Sequence, residues 1–176
     1  QGTGTSRAQL LESFRTGERV VLMGTRSFWE GVDVTGEALS CLVIAKLPFD
    51  VPDDPIVSAR SQAYEDPFGQ FMVPEAVLRF LQGFGRLIRT AADQGIAVVL
   101  DRRILTKQYG RRFVDSLPDP TVTQGPAASL PLAAARWLDG KSLPGADLSS
   151  LSEDEAIFIS SGEGTANKEP DWFWGA

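Results

Sequence analysis

Apolar residues recur along this chain in two rhythms. Short runs, nearly unbroken, lie at Arg19–Gly24 (RVVLMG), Ser40–Leu47 (SCLVIAKL) and Gly95–Leu100 (GIAVVL). Runs this short and this uniformly apolar predict strands covered on both faces, as in parallel sheets. Elsewhere the rhythm is helical. Ser6 to Phe14 sets Leu10, Leu11 and Phe14 on one face behind Ser6 as N-cap, and the pattern stops near Gly17. From Pro74 to Arg89 a long helix is predicted, with Val77, Leu78, Leu81, Phe84, Leu87 and Ile88 as its apolar stripe. Leu105–Leu117 is a further amphipathic segment and Pro131–Leu138 a short helix. Strands alternating with helices predict an α/β domain with a parallel sheet, its functional loops at the carboxyl ends of the strands. Only one helix precedes the first strand, after a polar Gly-Thr opening, so the chain is expected to begin inside its domain.

Past Asp119 the composition shifts to Pro, Gly, Ala and Ser, and residues 141–176 form a Ser/Gly/acidic tail expected to be largely disordered. Within that tail Ile157-Phe158-Ile159 and Trp172-Phe173-Trp174 are apolar clusters able to dock on something. Charge follows the same division. The net charge of −6 argues against a nucleic-acid binder, because phosphate affinity comes largely from Lys and Arg. The tail, however, holds two lysines against seven acids, leaving 15 cations against 16 acids in residues 1–140. The body is thus near neutral and arginine-rich.

With 176 residues and 43% hydrophobic content the chain suffices for one domain with its own core. It has no apolar run near the roughly 20 residues that cross a bilayer, and its first residues lack the features of a signal peptide. A cytoplasmic protein is expected, with no membrane partner. Cys41 is the sole cysteine and histidine is absent. That excludes a disulfide framework and leaves carboxylates, arginines and backbone to carry any chemistry.

Two stretches concentrate such groups. Gln82-Gly83-Phe84-Gly85-Arg86-Leu87-Ile88-Arg89 ends the long helix. Each glycine there costs about 1 kcal/mol relative to Ala, which asks for a close approach by a ligand or another backbone. Arg86 and Arg89, three apart, are expected on one helical face, where paired guanidiniums suit the charge that develops on a transferring phosphoryl group. Spacing alone serves a solvated face with surface arginines equally well. The second stretch, Gly24-Thr25-Arg26-Ser27-Phe28-Trp29-Glu30-Gly31-Val32-Asp33, follows the first predicted strand. Phe28 and Trp29 there stack on a base or fill core, Gly31 permits close approach, and Asp33 is a hydroxyl acceptor.

In order and interval, SFWEGVD after a strand, a second strand running into Lys46-Leu47-Pro48-Phe49, then QGFGRLIR on a later helix resemble motifs V and VI of the DinG/XPD-like helicases of superfamily 2. Asp50 through Pro55 and Asp101-Arg102-Arg103 look like the same family, and the resemblance covers roughly residues 1–120. It implies a RecA-like second motor domain over 1–120, truncated at its start, with 121–140 as an extension carrying the short helix and 141–176 as the tail. By this resemblance Arg86 and Arg89 are arginine fingers reaching ATP and Mg held mainly by a first motor domain, the partner of this one. Gln82 and Gly85 belong to the same motif; Glu30, Gly31 and Asp33 face the nucleotide. Thr25 and Ser27 contact phosphates of single-stranded DNA, with Phe28 and Trp29 in the same DNA-facing loop. The resemblance further implies 5′ to 3′ movement and, in many members, an iron–sulfur cluster in the first half, which one cysteine cannot hold.

Other motif-like segments fail on context. Gly83-Phe84-Gly85 lies inside a helix, where a dinucleotide fingerprint must follow a strand. Asp139-Gly140-Lys141-Ser142 follows a helix, and Pro144-Gly145 breaks the helix that a phosphate loop requires. Asp154-Glu155-Ala156 follows no buried strand. With neither phosphate loop nor magnesium box, the chain is expected to be inactive as an ATPase by itself. Competing readings are the same motor fused to an exonuclease, and a binding module that uses the motor fold without hydrolysis.

Overall fold

The computed structural model describes residues 6–25, 39–88, 94–118 and 120–139, together with the backbone of 155–161. Helix α1 (Arg7–Thr16) begins as expected at Ser6, whose hydroxyl accepts from the Gln9 amide (3.2 Å) while Gln9 Oε1 accepts from the Ser6 amide (2.9 Å). This reciprocal pair satisfies two amides that a helix start leaves unbonded. No residue of α1 is buried among the described contacts.

The core is built on two short strands and one long helix. Strand β1 (Cys41–Ile44) pairs in parallel with β2 (Gly95–Val99), Cys41 opposite Ile96 and Ile44 opposite Val99. Between them run α2 (Pro55–Ser61), a π-helical turn (Phe68–Met72) and α3 (Val73–Leu87). Asp54 caps α2, accepting from the amides of Ile56 (2.9 Å) and Val57 (3.2 Å), with Pro55 at the first helical position. Every residue of β2 is buried, and its side chains divide by the two-residue strand period. Ala97 and Val99 join Phe80, Phe84 and Leu87 of α3 and Phe113 and Val114 of α5 (Gly110–Asp115). Ile96 and Val98 instead meet Trp137, Ala133 and Leu130 of α6 (Leu130–Leu138) on the other face. Burial on both faces is why GIAVV is apolar throughout. Two short helices, α4 (Arg103–Thr106) and α5, lie in and just before the segment read as amphipathic, Leu105–Leu117. The break follows Thr106, where Lys107 is extended (φ −108°, ψ 140°), and α5 opens at Gly110, where a Cβ would collide with the Ile104 carbonyl.

Three expectations are corrected. The sheet is mixed: its order is β1-β2-β4-β3, where β3 (Thr121–Pro126) and β4 (Glu155–Ser161) are antiparallel to each other and β4 is antiparallel to β2. β4 arises within the tail expected to be largely disordered; it fills the otherwise unpaired edge of β2, satisfying backbone groups that a buried edge cannot leave open. The run Arg19–Gly24 is no strand. It has no ladder partner among the described residues, its entry is a turn with Arg19 at φ 55°, and Val21 and Met23 are 83% and 89% exposed. Finally, α3 stops at Leu87, with Ile88 extended (φ −120°, ψ 111°) and its amide closing on the Phe84 carbonyl. No described helix is long and apolar enough to cross a membrane.

Candidate functional site

The carboxyl ends of β1 and β2 lie side by side, and two acid–base contacts hold the loops that leave them. Asp101, the second residue after β2, is only 8% exposed at its side chain. Its carboxylate accepts from the Leu47 amide (2.8 Å) and from the Arg103 amide (3.1 Å), and takes the Arg103 guanidinium at 2.6 and 2.9 Å. Burial by itself would raise this carboxyl. The Arg103 guanidinium and the two amides outweigh it and bring Asp101 below the ordinary carboxylate range. Arg103 is raised, chiefly by its bond to Asp101. The second contact joins Asp50, in the loop after β1, to Arg79 of α3 at 2.7 Å, with Glu75 also at 3.4 Å from Arg79. It is a contact of charge, since the Arg79 Nη1 hydrogens are not aligned on an acceptor.

Arg79 fixes the direction of α3. Glu75, Arg79, Gln82 and Arg86 follow one another at spacings of four, three and four, so they form a single polar stripe beside the buried one of Ala76, Phe80, Phe84 and Leu87. The stripe's second member, Arg79, reaches the loop after β1, so Gln82 and Arg86 extend the same line toward the end of the helix. Gln82 is exposed and Arg86 half-buried. The motif glycines separate here. Gly83 is buried against the core side. A methyl group at Gly85 would meet nothing within 4 Å, so nothing in the described domain requires glycine at that position.

Thr25 is exposed, at the end of the segment that follows Gly24. Gly24 itself lines an open cleft of about 400 Å³ with Val43, Lys46, Leu47 and Phe49, which sets it alongside the exit of β1. Gln82, Gly85 and Arg86 thus lie together on α3, and Thr25 lies on a separate segment. Ser27, Phe28, Trp29, Glu30, Gly31, Asp33 and Arg89 fall outside the described residues.

Sequence reasoning gave no role to the Asp101–Arg103 pair or to the aromatic cluster beside it. Phe49 stacks on Phe68 (5.8 Å, 12°), meets Tyr109 (5.5 Å) and Phe113 (5.9 Å) edge-on, and lies under the Arg103 guanidinium at 5.2 Å. The legible signal was an aspartate placed just after a buried strand, with an arginine two residues on.

The model of the helicase C-terminal domain matches residues 1–120. Among curated relatives, the ATP-dependent DNA helicase YoaA of Escherichia coli is 47% identical over 118 residues, 65% of this chain and 19% of that protein. The 3′-5′ exonuclease DinG of Bacillus subtilis is 44% identical over 126 residues, 69% of this chain and 14% of the relative. The ATP-dependent helicase DinG of Mycobacterium tuberculosis is 43% identical over 117 residues, 64% and 18% respectively. The chain spans less than a fifth of the length of these relatives.

Proposed function

The chain belongs to the helicase C-terminal domain family, and from that premise we propose that it is the second, RecA-like motor domain of an ATP-dependent DNA helicase acting in the cytoplasm. It closes on ATP bound by a first motor domain and moves along single-stranded DNA in the 5′ to 3′ direction. The observation that carries this reading is the end of α3, where half-buried Arg86 follows a glycine whose Cβ position is open. A guanidinium fixed beside a surface free of side-chain bulk suits close approach by a triphosphate, whose γ-phosphoryl group gains charge as it transfers. Arg86 and Arg89 are the proposed finger residues, and Gln82 and Gly85 line their approach. Glu30, Gly31 and Asp33 face the nucleotide side, and Thr25, Ser27, Phe28 and Trp29 the DNA.

Among the described residues no three acidic or cysteine side chains gather as metal ligands, and Cys41 is the only cysteine of the chain. Magnesium and any iron–sulfur cluster would be held by the rest of the motor, and the role proposed for this domain runs through its own arginines. In the complete helicase, Arg86→Ala is expected to lower turnover by about 10³- to 10⁵-fold while single-stranded DNA affinity stays within a factor of a few. Unchanged turnover would remove Arg86 from the transition state. A second reading is favoured by one relative's printed name: DinG of Bacillus subtilis is called a 3′-5′ exonuclease. The same domain then serves a chain that also degrades DNA, and nuclease activity that survives Arg86→Ala would identify that case.

A further inference from the structure

The aromatic cluster at the carboxyl ends of β1 and β2 is not exhausted by core packing. Phe80 and Phe113 are fully buried, but Phe68 at the outer end of the same cluster remains 45% exposed. One face of its ring lies on Phe49, and Tyr109 meets it in a T-shaped contact at 5.3 Å, so the ring is held in place with nearly half of its surface toward solvent. Cations rim it. Arg112 donates to the carbonyl of Gly69, the residue after Phe68 (3.3 Å), and exposed Lys107 forms the turn into Gly110 that carries Tyr109. Residues 101–112 hold five cations against the single acid Asp101, which is already paired with Arg103. Of the two acids that precede Phe68, Asp66 turns back onto the Gly69 amide (3.0 Å) and Glu65 is exposed.

We propose that Phe68, braced by Phe49 and Tyr109, is a stacking platform for a base of single-stranded DNA, with Lys107 and Arg112 on the flanking phosphates. The proposal rests on the helicase reading and adds to it a DNA contact outside the two recognised motifs. A fixed aromatic face with adjacent cations binds single strands with little sequence preference, since every base has a face to stack and every linkage a charge. The position agrees with the tendency of α/β domains to bind ligands beyond the carboxyl ends of parallel strands.

The test uses the complete helicase and two fluorescent probes of equal length, oligo(dT) and an abasic oligonucleotide with the same backbone, each titrated by anisotropy. Phe68→Ala is expected to weaken oligo(dT) binding about 5- to 100-fold and leave abasic binding unchanged, with Phe68→Trp restoring the loss. Lys107→Ala is expected to weaken both probes and reduce the salt slope of binding by about 0.7. Equal affinity of Phe68→Ala and the parent for oligo(dT), or an equal loss on both probes, overturns the platform while the helicase reading stands. If the parent neither binds oligo(dT) nor hydrolyses ATP faster in its presence, the helicase reading falls and the platform with it.

Discussion

At the scale of single residues, the most telling position is Gly85. A glycine within a helix is a net cost unless something must come close, and nothing in the described domain does. Gly85→Ala is therefore expected to raise the stability of the domain by about 0.5–1 kcal/mol, read as a higher denaturant midpoint, and to lower ATP turnover in the complete motor. Improved stability with full turnover would mean that the open space serves no ligand. Asp101 tests the other half of the site. Its carboxylate holds the Leu47 amide and Arg103 together, so Asp101→Asn should cost about 1.5–3 kcal/mol at neutral pH. Because its folded pKa lies below the ordinary value, its stabilisation is complete above the unfolded pKa and disappears as pH falls through the folded one. The difference between parent and variant should accordingly be full at neutral pH and narrow below about pH 4, as urea midpoints across that range would show. A gap that stays constant into acid would deny the ion pair its role. Gln82, Gly85 and Arg86 were singled out through the resemblance, and the structure sets all three on α3. Asp101 was not given a task, because what it holds, the Leu47 amide, is 54 positions away and no local pattern announces it.

At the scale of elements, legibility followed the number of independent signals. β2 combines an apolar run, a glycine start and a polar stop, and its observed span, Gly95–Val99, is one residue shorter than read. α3 has its stripe and an early proline, and its start was read to within one residue; its end was not, because nothing between Leu87 and Arg89 is a helix stop signal. Arg19–Gly24 shows the limit of such reading, since an apolar run records suitability for a strand and the ladder partner must come from elsewhere. β4 shows the opposite failure. Ile157-Phe158-Ile159 was noted as a docking cluster inside an acidic, polar tail, yet composition carried no hint that it would insert between β2 and β3. Its pairing makes a specific prediction. The amides of Ile96 and Leu100 bond toward β1 (3.0 Å each), so by the alternation of strands those of Ala97 and Val99 point to β4. Ile159→Pro removes a ladder donor opposite Ala97. It should speed hydrogen exchange at Ala97 and Val99 and spare Ile96; equal acceleration at all three would mean that the whole sheet has loosened.

At the scale of the molecule, a net charge of −6 opposes nucleic-acid work as a total, but its distribution leaves the body near neutral. Acids gather beyond residue 140, whereas cations gather in 101–112, on the side where β1 and β2 end. The same edge carries the braced loops, the open cleft beside Gly24 and the aromatic cluster. α3 lies against the sheet with its polar stripe leading to Arg86. The role proposed for the domain, an arginine offered to a phosphate that another domain holds, is that of half of a motor. The most direct test is ATP hydrolysis with and without single-stranded DNA, measured for this 176-residue chain alone and for a longer chain that adds the first motor domain. Hydrolysis that appears only in the longer chain, and rises with DNA, is the predicted result. Hydrolysis by the 176 residues alone, or a longer chain that binds DNA without hydrolysing ATP, would contradict it.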